Sequence, residues 1–181
     1  AVLAPFYETT EDWVRLGSAL EVLMGAAATV DDKLTLLKRL SIIYGRKRGD
    51  AAAAFANAQR VFALSPGDPE NRVELRHLAE MVQDFESLIL LYDAALENAE
   101  PALQRALAWE IAEIYDQNLR SAKDARTYFQ KVLALEPLHE GAFEALRRIL
   151  QDAGEWATLR QLLRARVELL GDASARRDLW F

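Results

Sequence analysis

The sequence predicts an all-α fold, a solenoid of about five antiparallel helical hairpins. The first sign is that the chain aligns with itself at an offset of 71 residues, Tyr44 falling on Tyr115, Ala51 on Ala122, Ala54 on Ala125 and Gln59 on Gln130. The second is a shorter period inside that block. The positions equivalent to Tyr44 are Tyr7, Ala79, Tyr115 and Leu150, with successive spacings of 37, 35, 36 and 35. The third is apolar recurrence at i, i+3 and i+4, the mark of a helix with one buried stripe. A unit of this size cannot bury its apolar side alone, so it stacks on its neighbours.

Taken in order, the hairpins span 1–28, 31–66, 69–99, 102–137 and 139–171, and a further helix starts at 173–181. The clearest is the fourth. Leu107, Ala108, Ile111, Ala112, Ile114 and Tyr115 line its first helix, and a polar break follows at Asn118 to Ser121. Ala122, Ala125, Phe129, Val132, Leu133 and Leu135 line its second, which Pro137 stops because proline donates no helical hydrogen bond. The second hairpin repeats this pattern and ends at Pro66; the alternate ones lack the proline and open their second helices at Asp12-Trp13, Asp84-Phe85 and Glu155-Trp156. An acid there caps free amides, and the adjoining ring is expected to close the hairpin by packing.

Composition narrows the function classes. Of 181 residues, 51% are hydrophobic and 28% charged, an ordinary globular balance, and eight glycines with five prolines leave little room for long loops. The absence of cysteine excludes disulfides, thiolate zinc sites and cysteine nucleophiles without naming a compartment. No uncharged stretch is longer than Ala51 to Gln59, which is far too short to insert across a membrane. A net charge of −6 argues against non-specific binding to nucleic acid or to anionic lipid.

The motif Ala108-x2-Ile111-Ala112-x2-Tyr115, followed by Ala125-x3-Phe129-x2-Val132-x4-Pro137, resembles the tetratricopeptide repeat, with one extra residue in the turn. Leu37-x2-Leu40-Ser41-x2-Tyr44 and Ala54-x3-Ala58-x2-Val61-x4-Pro66 carry the same resemblance one block earlier. The resemblance implies a right-handed solenoid, truncated here at both ends, whose first helices line a concave groove and which binds other proteins. In that register the inward residues are Lys38, Arg39, Ile42 and Arg46, then Val73, Glu74, His77 and Met81, then Trp109, Glu110, Glu113 and Gln117, then Glu144, Arg148 and Asp152. Their charges run from basic to acidic, a polarity that would orient a partner segment of opposite charge. The alternative is a set of solvated helix faces. Two readings also stand open at Trp109: a groove anchor, or a ring packed against the neighbouring helix. Family members that clamp a carboxylate tail use asparagines on these helices, but Asn57, Asn71, Asn98 and Asn118 fall outside the inward set.

Chemistry has little to work with. His77 and His139 lie in different hairpins, neither with a second histidine at i+3 or i+4, so no metal or cofactor is expected. Glu110, Glu113 and Asp116 could pair for acid–base work but are read as acidic surface, and Arg46-Lys47-Arg48 as a helix end complementing its dipole. Arg147-Arg148 and Arg176-Arg177 lack aromatic interleaving, so nucleic acid is not expected as a partner. Leu179-Trp180-Phe181 is a poor outer face for an end repeat, and the chain is therefore read as a fragment. The expectation is a non-catalytic protein-interaction scaffold taking a protein or peptide partner. The alternatives are a regulatory or substrate-docking arm of a larger enzyme, or a structural module that forms a homo-oligomer through exposed repeat ends.

Overall fold

The computed structural model describes residues 3–170, so the helix expected at 173–181 lies outside the described residues. Within them the chain is all helical: α1 (Leu3–Thr9), α2 (Trp13–Ala26), α3 (Val30–Ile42), α4 (Ala51–Leu64), α5 (Pro69–Val82), α6 (Phe85–Leu96), α7 (Pro101–Glu113), α8 (Ala122–Leu135), α9 (Glu140–Asp152) and α10 (Trp156–Leu169). Two five-residue π-helical turns, Ile43–Lys47 and Ile114–Asn118, continue α3 and α7. None of the described helices is long and apolar enough to cross a membrane.

The turns show why alternate hairpins differ by one residue. At each of the five aligned positions the carbonyl accepts a hydrogen bond from a backbone amide further on. Asp12 donates to Tyr7, Asp84 to Ala79 and Glu155 to Leu150, each five residues back at 2.9 Å. Asp50 donates to Tyr44 and Ser121 to Tyr115, each six residues back at 2.8 Å. The extra residue is absorbed by the π turns, where Arg48 reaches the Ile43 carbonyl and Leu119 the Ile114 carbonyl, both at 3.0 Å. One residue before each donor the chain passes through left-handed backbone. Glu11, Gln83 and Arg120 adopt φ of 54°, 57° and 55°, where Gly49 and Gly154 adopt 66° and 68°.

The chain divides into two compact units, residues 1–91 and 92–181, with the boundary inside α6. In the first, α1 packs on α2, α2 on α3, α3 on α4 and α4 on α5. Leu16, Leu20, Leu37, Leu40 and Val61 form a continuous core there, each no more than 2% exposed. In the second unit α7 packs on α8, α8 on α9 and α9 on α10 around Ala108, Ala112, Phe129, Val132 and Leu150. Phe129 is buried, whereas Tyr115 and Leu133 are half-buried at the edge of that core.

The aromatics that open the alternate second helices do not share one role. Phe85 is buried, Trp13 is half-buried with the Lys47 Nζ 4.9 Å over its ring, and Trp156 is 66% exposed. Packing is therefore the wrong expectation for Trp156. Asp12 and Asp84 do cap, accepting from the amides of Arg15 and Ser87 at 3.1 and 3.0 Å. The Ser87 hydroxyl and amide together hold the Asp84 carboxyl below its ordinary range. Glu155 instead takes the Arg126 guanidinium at 2.8 Å.

Candidate interaction face

In the first unit, α3 and α5 each send side chains into one cleft of ≈ 170 Å³. Lys38, Ser41, Ile42 and Arg46 line it from the α3 side, and Glu70, Asn71 and Glu74 from α5. Two buried polar side chains fix these helices on the one between them. The Ser41 hydroxyl donates to the Ala54 carbonyl at 3.2 Å and the Asn71 amide to the Ala58 carbonyl at 3.0 Å, so both anchors seat on α4. Asn71 lines the cleft although it falls outside the inward set. Its amide nitrogen nevertheless serves the fold through Ala58.

The structure thus brings Lys38, Ile42, Arg46 and Glu74 together as the register expected, and separates their roles. Lys38 Nζ lies 2.6 Å from Asp68 Oδ2 at the start of α5. That hydrogen bond, ahead of the amides of Asn71 and Glu70, holds the Asp68 carboxyl below its ordinary range against the opposing effect of burial. Arg39 is half-buried and paired with Glu8 of α1. Arg46 and Glu74 have no ion-pair partner among the described residues, and Ile42, which lines the same cleft, is 48% exposed. Glu70, Glu74, His77 and Met81 recur at i, i+4, i+7 and i+11, one face of α5. Met81 is 55% exposed at its far end, and His77 is exposed beside it, with Val73 at the edge at 72%.

The second unit disposes of its expected residues differently. Trp109 is half-buried, its ring centroid 5.6 Å from Phe129 and 4.8 Å from His139. Gly141 makes room for it: a methyl group there would come within 2.7 Å of the indole edge. The choice left open at Trp109 falls to packing, and it is not a free groove anchor. His139 caps α9 by accepting the Ala142 amide at Nδ1, 3.1 Å away. Arg148 of α9 is bound to Asp116 at 2.6 Å and lies 4.0 Å from Asp152. Glu144 is held by Arg147 at 2.6 Å. Glu110 and Glu113 are half-buried and Gln117 is exposed. The acidic half of the expected groove is thus largely engaged in contacts of its own, and the more open face belongs to the first unit.

Three features escaped the sequence. A cleft of ≈ 410 Å³ lies among α6, α7 and α8, where Ala108 stands at the position of Leu37. The buried Arg166 donates to the Pro137 carbonyl at 3.1 Å, binds Glu140 and lies 4.9 Å over the Phe143 ring. In the first unit Arg72 donates to the Pro66 carbonyl at 3.2 Å instead. Because Arg72 aligns with Phe143 and Ala95 with Arg166, the two repeats hold the same carbonyl with arginines from different helices. Tyr128 stacks on Tyr115 with centroids 5.7 Å apart and donates to Asp93 at 2.8 Å, and burial together with Asp93 keeps its phenol above its ordinary range. Among the described residues no group of histidine and carboxylate side chains is placed to hold a metal ion.

No family model matches the chain, and no curated protein matches it significantly. Its structure is similar to two crystal structures of MamA, each 14% identical in sequence. The first superposes with a TM-score of 0.53 over 92% of this chain and 93% of that one, and the second with 0.52 over 92% and 87%. At that identity the likeness shows the fold, an all-α helical repeat.

Proposed function

We propose that this chain is a non-catalytic protein-interaction scaffold of the tetratricopeptide type, a right-handed solenoid of about five antiparallel hairpins. Its first helices would present a concave face to an extended or helical segment of another protein. The observation that carries this reading is the α3–α5 cleft, where exposed Ile42 lines the same cavity as Arg46 and Glu74, neither with an ion-pair partner among the described residues, and the α5 face runs on to exposed Met81. Apolar groups left in water beside unsatisfied charges of both signs suit a partner that brings an apolar side chain flanked by an acid and a base. The likeness to MamA supports the scaffold, and the partner is a proposal from the site.

Affinity capture with Ile42→Asp, Met81→Asp and a control on the second helix of a hairpin, Leu90→Asp, tests it. Leu90 is 72% exposed and lies on α6, away from the cleft residues in sequence and helix. A protein retained by the wild type and by the control, and lost at least tenfold by both cleft variants, is the expected result. Retention unchanged in both cleft variants overturns the reading.

A further inference from the structure

A second interface is written on the other unit, and it does not depend on the α3–α5 cleft. Its concave half is the ≈ 410 Å³ cleft floored by Leu96, Ala108 and Leu135. The internal repeat explains why it is open. Leu37, 2% exposed, fills the place of Ala108 in the first unit, and Arg60 there closes on Glu21 at 3.2 Å and on the Met24 sulfur. In the second unit Lys131 is drawn 4.3 Å over the Tyr128 ring and stays 3.9 Å from Asp93. The cleft is therefore lined by two carboxylates four residues apart: Asp93 on α6, held by the Tyr128 hydroxyl at 2.8 Å and by Lys131 at 3.9 Å, and Glu97 just past the end of that helix. Glu97 has no ion-pair partner among the described residues.

Its convex half is on α10. Trp156 is 66% exposed at the start of that helix, and Arg160 and Arg164 follow at i+4 and i+8 on the same face. Both arginines are exposed and lack ion-pair partners among the described residues. An indole and two cations thus stand in a row, each one turn (about 6 Å) from the next. The carboxylates of the cleft are likewise four residues apart, beside an apolar floor and a volume suited to a ring.

We propose that Trp156 of one copy of this chain inserts into the α6–α7–α8 cleft of another, with Arg160 and Arg164 against Glu97 and Asp93. The two surfaces are different, so the contact is heterologous and propagates head to tail. Sedimentation velocity on the chain across a concentration series tests it. The expected result is a mass that grows with concentration and falls back as salt screens the charges. Trp156→Ala removes the ring, and Ala134→Trp, at an exposed position on the cleft wall, fills the cavity without touching the core. Each variant alone should lose at least tenfold in association. Mixed in equal amounts, they should form a one-to-one dimer and stop, because each supplies the half that the other lacks. A wild type that stays monomeric throughout, association that survives in both variants, or a mixture that does not associate overturns the proposal.

Discussion

Replacing glycine by alanine inside a helix ordinarily stabilises it by up to about 1 kcal/mol, because glycine has more backbone freedom to lose. At Gly141 the sign should reverse. The added methyl would lie 2.7 Å from Trp109 Cη2 and 3.2 Å from Cζ3, and carbon atoms do not approach so closely without something moving. The indole has little room to yield, since Phe129 and His139 flank it at 5.6 and 4.8 Å between ring centroids. Overpacking of this kind costs about 1–3 kcal/mol, so Gly141→Ala should destabilise by about 1–2 kcal/mol net of its helix-propensity gain. Urea denaturation followed by far-ultraviolet circular dichroism measures the change, and Trp109→Leu supplies the control. With the ring gone, the same methyl should be neutral or stabilising, giving a coupling of at least about 1 kcal/mol between the two sites. A Gly141→Ala variant as stable as the wild type would refute the assignment of Trp109 to the packed contact.

Four further outcomes follow from the same structure. Phe129→Ala, at 1% exposure, should cost about 3–5 kcal/mol in chemical denaturation. Arg166→Ala should cost about 2–3 kcal/mol, read from denaturation midpoints, by removing a charge-assisted bond to the Pro137 carbonyl and the cation over Phe143. Arg120→Gly should stabilise by about 0.5–1 kcal/mol in the same measurement, because its φ of 55° is one that glycine adopts without strain. Asp68 contributes stability that is complete above the ordinary carboxylate range and is lost as the pH falls through its lowered folded-state value, so Asp68→Asn should flatten the acid limb of a stability–pH profile.

The repeat register was legible because it rests on backbone geometry. Tyr7, Tyr44 and Tyr115 are alike but Ala79 and Leu150 are not, yet each of the five offers its carbonyl to the turn that follows. The extra residue in alternate turns was countable from spacing, whereas its π-helical form was not, since that depends on which carbonyl a displaced amide finds. Gly49 and Gly154 stand in left-handed turns, a signal that alignment could have extended to Arg120 and Gln83. The interaction face was legible only in part. Periodicity placed Lys38, Ile42, Arg46 and Glu74 on one side, but the side-chain partners of Lys38, Arg39 and Arg148 come from other helices and leave no local trace. Trp109 had one available signal, the glycine at 141 in the helix it packs against.

The two π turns bear on how such a protein could be lengthened. They begin at Ile43 and Ile114, so the stretch from Ile43 to Glu113 is a cassette whose ends meet the chain in the same local geometry. Inserting a second copy of it directly after Glu113 would join every helix to a neighbour of the kind it already has. Inserting a single hairpin would instead put a five-residue turn where a six-residue one belongs, rotating the next helix by a residue and turning part of its apolar stripe outward. The module open to excision or grafting is therefore the pair of hairpins.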